Sequence, residues 1–271
     1  MGNKSPLGII AGNGAYPLLV AKGARQNGVQ SIHVAAFENE TRPELTKEAD
    51  SIEWMRVGQL GRLLKYFEAA GVRRAIMAGQ IAPKNLFDLR PDFRVLLLLS
   101  RLKRRNAETL FGALADELAK VGVQLLPATT FLEDSLAVEG LMGGPKPKKR
   151  SLEDIAYGFE IAKEVSKLDI GQTVIVRHGT VLAVEAFEGT NEAIRRGAAL
   201  GKQGAVVVKV SKPNQDMRFD VPVIGRETLE IASAAGVAVI AVEAGKTLLL
   251  EKNAVIALAE QKHLTIYGYK L

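Results

Sequence analysis

The sequence predicts an α/β fold of two domains: an N-terminal Rossmann-like domain with a doubly wound parallel sheet, and a C-terminal α/β domain with a mixed sheet. Three observations support this prediction. In the first half, short β-branched runs alternate with amphipathic segments, the pattern of parallel β-α-β units. The 271 residues, 47% of them apolar, suffice for two domains with their own cores. In the second half, His178 and Gly179 separate two β-branched runs, which indicates an antiparallel hairpin.

The elements of the N-terminal domain, residues 1–139, follow from periodicity and from the residues that end each segment. The segment 59–70 is amphipathic and stops at Gly71, a residue suited to a helix C-terminus. The apolar run 74–78 ends in Gly79 and is typical of a buried strand. In chain order we expect strands at 7–11, 30–37, 51–57, 74–78 and 123–126, and helices at 15–26, 59–70, 92–104 and 107–121.

A linker is predicted over residues 140–150, where glycine and proline are followed by four cations without an apolar residue. The C-terminal domain then covers residues 151–271, and its element types follow from the same periodicities. In this domain we expect strands at 173–177, 180–186, 205–210, 237–242, 247–250 and 264–269, and helices at 152–167, 191–200, 226–235 and 253–261.

Composition excludes several classes of protein. The absence of cysteine excludes disulfides, thiolate metal sites and a cysteine nucleophile, and three histidines far apart disfavour a zinc site. No stretch approaches the about 18 to 20 uninterrupted apolar residues of a spanning helix, so a cytoplasmic protein is expected. The formal charge of +6 favours anionic ligands, whether nucleotide, nucleic acid or lipid headgroup.

Two acids and two cations fall within residues 212–225, between an apolar strand and a predicted helix. Ligands of open α/β sheets gather outside the carboxyl ends of the strands, so this loop is the expected centre of the chemistry. If the segment is extended, Asp216, Arg218 and Asp220 point to one side and form a stripe able to hold a metal ion and a phosphate. A solvated loop in which Arg218 neutralises its neighbours would have the same pattern.

A glycine turn, Gly12-Asn13-Gly14, lies between the first strand and the first helix. Glycines let backbone N–H groups approach a phosphate, and the helix N-terminus adds partial positive charge. The turn is not the dinucleotide fingerprint, because Pro17 stands where its third glycine belongs, and a complete Walker A motif is absent. A purely structural tight turn explains the same residues.

Residues 84–105 contain seven lysines or arginines but only two acids, Asp88 and Asp92, and the run 95–99 is strongly apolar. Such a segment suits an anionic membrane surface or the acyl chains of a lipid. One face of an ordinary buried helix is the alternative.

A denser group lies around residues 182–196. Glu185 sits in a β-branched run, where an acid is costly to bury unless it is paired or binds metal. Thr190 is suited to cap the next helix. The adjacent Arg195 and Arg196 suit a phosphate clamp or the solvated face of a helix.

Taken in order, these motifs resemble the LpxI-type UDP-2,3-diacylglucosamine pyrophosphatases of lipid A biosynthesis, the form not built on a calcineurin-like metallophosphoesterase. The ordered set spans almost the whole chain and is densest in the second half. The matching motifs are GIIAG at 8–12, LDIGQ at 168–172, LAVEA at 182–186, EGT at 188–190, RR at 195–196, KP at 212–213, RFDVPVIG at 218–225 and EAG at 243–245.

The resemblance implies roles for individual residues. Asp220 stands where the family places its key acid, and Asp216, at a position less strict in the family, is the second candidate catalytic residue. A divalent cation such as Mg²⁺ or Mn²⁺ would be held by Asp220, with Asp216 or Glu185 as a further candidate ligand. The expected substrate-binding residues are Gly12, Asn13, Gly14, Gly79, Thr190, Arg195, Arg196, Lys212, Arg218, Gly225, Thr228 and Gly245.

The implied activity is hydrolysis of UDP-2,3-diacylglucosamine at the α-phosphorus to UMP and 2,3-diacylglucosamine 1-phosphate (lipid X). Peripheral contact with the cytoplasmic face of the inner membrane and a homo-oligomer are both left open. The alternative is a non-catalytic nucleotide- or lipid-binding module whose acids are structural. A nucleic-acid partner is not expected, because aromatic residues make up only 6% of the chain and do not interleave with the cations.

Overall fold

The structure, a computed structural model, describes residues 5–81, 92–102, 107–213 and 215–270. The chain forms two compact units. Unit 1 consists of Met1–Glu133 together with Asp216–Asp220, and unit 2 of Asp134–Gln215 and Val221–Leu271. A short segment of the second half of the sequence therefore belongs to the first unit, an arrangement that sequence periodicity does not reveal.

Unit 1 is a parallel α/β unit, as predicted. Its strands are β1 (Leu7–Ala11), β2 (Ile32–Phe37), β3 (Ser51–Met55), β4 (Arg74–Ala78) and β5 (Gln124–Leu125). The helices in its described part are α1 (Tyr16–Gln26), α2 (Leu60–Ala69), α3 (Phe93–Arg101) and α4 (Ala107–Lys120), with a 3₁₀ turn at Pro43–Lys47.

The strands of unit 1 pair in the order β3-β2-β1-β4-β5, and every pair is parallel. All five residues of β1 are buried, as expected for a strand with neighbours on both sides and covered faces. The chain builds β2 and β3 on one side of β1 and then crosses to the other side for β4. The carboxyl ends of β1 and β4 therefore form a topological switch point, where ligands of such sheets bind.

Unit 2 contains a mixed sheet, also as predicted. Its strands are β6 (Gly140–Gly143), β7 (Thr173–Arg177), β8 (Thr180–Val184), β9 (Ala205–Lys209), β10 (Val223–Ile224), β11 (Val237–Glu243), β12 (Leu248–Leu249) and β13 (Thr265–Tyr269). Its described helices are α5 (Lys149–Lys167), α6 (Thr190–Gly201), α7 (Arg226–Ala234) and α8 (Lys252–Gln261).

Six strands of unit 2 pair in the order β6-β13-β11-β9-β7-β8, while β10 and β12 form a separate parallel pair. The pairs within β13-β11-β9 are parallel and the others in this sheet are antiparallel. Side chains alternate between two cores: Ile175 packs on one face of the sheet, and Val174 and Val176 pack on the other. This two-sided burial explains the nearly continuous apolar runs of these strands.

The hairpin between β7 and β8 is confirmed. His178 and Gly179 both have positive φ, 52° and 73°, as a two-residue turn of this kind requires. The carboxylate of the buried Asp154 accepts hydrogen bonds from both of their backbone N–H groups, at 2.9 and 2.7 Å. Helix α5 thereby fastens the turn.

The segment predicted to be a linker, residues 140–150, has regular structure at both ends. Its first residues form β6, which pairs antiparallel with β13, and α5 begins at Lys149. A Cβ atom on Gly144 would lie 2.1 Å from the carbonyl oxygen of Leu264, and φ of Gly144 is 76°. Glycine at this position permits close packing on β13 rather than flexibility between domains.

In helix α3, the leucine-rich run is partly buried and partly exposed. Val95 and Leu98 pack against the core of unit 1, whereas Phe93, Leu96 and Leu97 are exposed. The helix is thus buried on one face and exposes apolar side chains to solvent on the other. The predicted extension to residue 104 lies partly outside the described residues. Within the described parts of the chain, the longest apolar helices fall short of what crossing a membrane requires.

Candidate functional site

The carboxyl ends of β1 and β4 touch each other through their backbones. The N–H of Asn13 donates to the carbonyl of Gln80 at 2.7 Å, and the N–H of Gly12 to that of Ala78 at 2.8 Å. A Cβ atom on Gly12 would lie 2.6 Å from the Gln80 oxygen, and one on Gly79 would lie 2.5 Å from the Asn13 oxygen. Both glycines are therefore required by the approach of the two loops, whatever else they bind.

Gly14 has a different environment. Its φ is 92°, and an added Cβ would meet no atom within 4 Å. It is followed directly by Ala15, which occupies the N-cap position of α1 but makes no side-chain hydrogen bond to the helix. No acid occupies the first turn of that helix. Open space beside an uncapped helix N-terminus suits an anionic group.

The segment Asp216–Asp220 is a turn, not the extended stripe that spacing suggested. The carbonyl of Asp216 accepts hydrogen bonds from the N–H groups of Phe219 and Asp220, at 3.2 and 2.9 Å. The Asp216 carboxylate also accepts from the backbone N–H of Arg218 at 3.0 Å. An aspartate whose carboxylate accepts a hydrogen bond from the backbone two residues ahead stabilises a turn of this kind. The prediction that Asp216, Arg218 and Asp220 form an extended stripe was therefore wrong.

Asp216 and Arg218 form a bidentate ion pair. Nε of Arg218 donates to both carboxylate oxygens at 2.9 and 3.1 Å, and Nη2 donates to Oδ2 at 2.6 Å. The Arg218 hydrogen bonds hold the pKa of Asp216 below its usual value, and Asp216 in turn raises the pKa of Arg218, with a smaller contribution from Asp116. Asp216 therefore orients Arg218, a role that sequence spacing alone did not assign.

The turn Asp216–Asp220 is connected to the start of α1, at the edge of the sheet where ligands of such folds bind. The carbonyl of Met217 accepts the N–H of Ala128 at 2.7 Å, and the carbonyl of Ala128 accepts the hydroxyl of Tyr16 at 2.6 Å. Tyr16 begins α1, directly after the glycine turn, and its burial raises its pKa. Phe219 packs against the core of unit 1, with its ring 5.6 Å from that of Phe111. The turn is thus held by both backbone and side-chain contacts.

The predicted ligands of a divalent cation do not form a ready-made cage. Among the described residues, no three histidine, cysteine, aspartate or glutamate side chains group together in a way that would hold a metal ion. Both oxygens of Asp216 are engaged by Arg218. Mg²⁺, however, is commonly held by one or two carboxylates together with substrate phosphates, so the Asp220 carboxylate fits that mode of binding.

Glu185, the third predicted ligand, belongs to unit 2 and has protein partners there. One of its carboxylate oxygens accepts the Thr190 hydroxyl at 2.8 Å, and the same hydroxyl accepts the Lys209 ammonium at 2.7 Å. Glu185 and Lys209 are 8% and 6% exposed. A buried acid and a buried cation bridged by a hydroxyl satisfy each other. The pairing accounts for the burial of Glu185 without a metal ion.

Thr190 does not cap α6. The capping position is Gly189, which makes no side-chain hydrogen bond, while the Thr190 hydroxyl is used between Glu185 and Lys209. Lys209 was missed at the level of the sequence. Its signal was a single lysine in the otherwise apolar run that forms β9.

The other predicted cations of unit 2 are each paired with an acid. Arg195 binds Glu192, Arg196 binds Glu188 and the carbonyl of Val184, and Lys212 binds Asp169. Arg195 and Arg196 therefore do not converge into one clamp. Of the remaining predicted residues, Gly225 precedes α7, Thr228 lies half-buried in its first turn, and Gly245 donates its N–H to the carbonyl of Ala137.

A buried network fixes the start of the loop that carries Lys212. Oε2 of Glu243, at the end of β11, accepts the Lys163 ammonium at 2.6 Å and both the N–H and the hydroxyl of Ser211 at 2.7 Å. Burial alone would raise the pKa of Glu243, but the hydrogen bonds from Lys163, Ser211 and Lys246 lower it from 4.5 to about 2. Glu243 belongs to the EAG motif at 243–245, whereas Lys163 is a partner that no motif in the sequence indicates.

The depressed pKa of Glu243 predicts how stability depends on pH. A carboxyl whose folded pKa lies below its unfolded value stabilises the fold above the unfolded pKa, and this contribution is lost as the pH falls from 4.5 toward about 2. We expect Glu243→Gln to lower the free energy of unfolding at neutral pH by roughly 3 kcal/mol and to remove this acid-dependent part. Urea unfolding at several pH values measures it, with the exposed Glu260→Gln as control. Parallel pH profiles for Glu243→Gln and the native chain would contradict the assignment.

Comparison with known proteins covers both halves of the chain. Residues 6–135 match the family model described as the LpxI N-terminal domain, and residues 138–267 match the LpxI C-terminal domain. The chain is 32% identical over 273 residues to the UDP-2,3-diacylglucosamine pyrophosphatase LpxI of Caulobacter vibrioides, covering 97% of this chain and 96% of that protein.

Among solved structures, N5-carboxyaminoimidazole synthetase from Staphylococcus aureus is 12% identical to this chain, with a TM-score of 0.28. The match covers 72% of this chain and 45% of that one. A likeness at this level carries no argument about function.

Proposed function

The chain belongs to the LpxI family, and from this membership we propose that it hydrolyses UDP-2,3-diacylglucosamine at the α-phosphorus, releasing UMP and lipid X. It is an enzyme, a pyrophosphatase. The observation that carries the proposal is a full-length match to a UDP-2,3-diacylglucosamine pyrophosphatase, 32% identical over 97% of the chain. The absence of cysteine suits a reducing compartment, and we place the reaction in the cytosol.

The geometry of unit 1 supports this assignment. Its switch point brings the glycine turn after β1 to the same edge of the sheet as the turn Asp216–Asp220. In our proposal, the N–H groups at the start of α1 bind the anionic nucleotide end of the substrate. Arg218, held in one orientation by Asp216, neutralises charge on the pyrophosphate.

Asp220 is the residue to which we assign the central catalytic role. Its backbone N–H closes the turn on Asp216, which fixes the main chain from which its carboxylate projects. We propose that this carboxylate holds a divalent cation such as Mg²⁺ together with the substrate phosphates. The ion would neutralise phosphate charge and provide an activated water for in-line attack.

The cations of unit 2 would have to exchange partners to bind phosphate. The pairs Arg195–Glu192 and Arg196–Glu188 join side chains that are each 31% or more exposed. Such surface pairs contribute about 0–1 kcal/mol, so a phosphate can displace the acid at little cost. We keep Arg195 and Arg196 as proposed phosphate ligands on this basis. Lys212 is a third, because its partner Asp169 is 45% exposed and can be released to water.

Turnover of the purified chain with UDP-2,3-diacylglucosamine and Mg²⁺ tests the proposal. Chromatography of the products should show UMP and lipid X accumulating in equal amounts. Binding of the substrate without product would favour the alternative, a non-catalytic nucleotide- or lipid-binding module, and would contradict the enzymatic assignment.

A further inference from the structure

Helix α3 carries a cluster of exposed apolar side chains that the proposed chemistry does not use. Phe93, Leu96 and Leu97 are 79%, 52% and 43% exposed, and their spacing of three and four residues places them on one side of the helix. We call these three residues the α3 apolar face. Val95 and Leu98 occupy the opposite side and pack against the core of unit 1. The helix is therefore anchored by one apolar surface and presents a second one outward.

The position of α3 is fixed by a well-built N-terminus. The Asp92 carboxylate caps the helix by accepting the N–H of Val95 at 3.0 Å, and it also accepts the N–H of Gly61, in α2, at 2.6 Å. Helices α2 and α3 are thereby joined at this end. The exposure of the α3 apolar face is a property of a docked helix rather than of a loosely attached one.

Two exposed cations, Lys65 and Arg94, lie beside this face. Beside the face, a depression between α2 and α3 is lined by Arg62, Lys65, Tyr66 and Arg94. The acids there are already used, because Arg62 binds Glu53 and Asp92 caps α3. Among the ion pairs of the described residues, none joins an acid to Lys65 or Arg94.

We propose that the α3 apolar face docks on an anionic phospholipid bilayer, with Lys65 and Arg94 meeting the headgroup phosphates. An apolar helix face rimmed by cations is suited to the interface of an anionic membrane, where burial and charge attraction add together. A second copy of the chain is a poorer occupant. A symmetric dimer across this face would bring two sets of like charges together. The inference goes beyond the hydrolytic reaction and is tested without substrate.

Co-sedimentation with vesicles tests the proposal. The native chain should bind vesicles of phosphatidylcholine mixed with phosphatidylglycerol, bind phosphatidylcholine alone much less, and lose binding as salt rises. The variant Phe93→Ser/Leu96→Ser/Leu97→Ser should bind anionic vesicles roughly tenfold or more weakly. The control Leu152→Ser/Leu200→Ser removes two exposed leucines from unit 2 and should bind as the native chain does.

A second variant tests the proposal independently if the first variant fails to fold. Lys65→Glu/Arg94→Glu reverses two exposed charges beside the face and should also abolish binding to anionic vesicles. Its control, Lys149→Glu/Arg150→Glu, makes the same change in net charge on the first turn of α5. Both test variants should retain native activity toward substrate dispersed in detergent micelles, which separates failure of docking from failure of the proposed function.

Two results would overturn the proposal. One is unchanged vesicle binding in both test variants. The other is a concentration-dependent increase in molecular mass that Phe93→Ser/Leu96→Ser/Leu97→Ser abolishes, without vesicle binding by the native chain, which would make the face an interface between copies.

Discussion

Asp220→Asn is expected to reduce kcat by about 10²-fold or more, a loss of roughly 3 kcal/mol of transition-state stabilisation, while substrate binding is largely retained. The substitution keeps the volume of the side chain and removes the charge proposed to hold the cation. The turn itself should survive, because it is closed by backbone hydrogen bonds to Asp216 and by the packing of Phe219. Single-turnover rates and substrate affinity, measured side by side, test this expectation.

The control for Asp220→Asn is Asp216→Asn in the same turn. This change weakens the ion pair that orients Arg218, so we expect a smaller loss of kcat and a higher KM. A structural Asp220 would give the opposite pattern for Asp220→Asn: a lower melting temperature, with near-normal kcat in the folded fraction. A destabilised but fully active Asp220→Asn enzyme would refute the catalytic assignment.

Removal of divalent cations is expected to abolish turnover. The proposed ion is held by Asp220 and the substrate phosphates, so a chelator should stop hydrolysis and excess Mg²⁺ or Mn²⁺ should restore it. Because the described residues contain no preformed group of three metal-binding side chains, the chelator should leave the melting temperature of the substrate-free protein unchanged.

Turnover and melting temperature, both measured in excess chelator, together distinguish a catalytic metal ion from a structural one. Full activity in excess chelator would remove the metal from the mechanism. A large fall in melting temperature would instead indicate a structural ion. Titration of Mg²⁺ with and without the substrate should show tighter binding when the substrate is present, because the phosphates supply ligands.

Most of the fold was predictable because buried parallel strands are short, continuous apolar runs. Leu7–Ala11 and Arg74–Ala78 have the predicted bounds, and the hairpin turn at His178 and Gly179 is as expected. Strands of two residues, such as Val223–Ile224, are too short to produce a pattern. Strand β6 was mistaken for a linker because it is formed by pairing with β13, a contact distant in sequence, and because Gly144, directly after it, serves close packing at Leu264.

The candidate site was less predictable for a related reason. The sequence identified the loop and its charges, but the turn depends on hydrogen bonds from Phe219 and Asp220 back to Asp216. Its inclusion in unit 1 rests on long-range contacts, including that between Met217 and Ala128. Aspartate at the start of a turn is a local signal that could have favoured the compact form. Nothing local indicates the contacts that place it.

The position of bond cleavage tests the central claim most directly. The substrate should be turned over in water enriched in ¹⁸O, and both products should be analysed by mass spectrometry. Attack at the α-phosphorus predicts that the solvent oxygen enters UMP and that lipid X remains unlabelled. Label found only in lipid X would place the attack at the other phosphorus and contradict the proposed reaction.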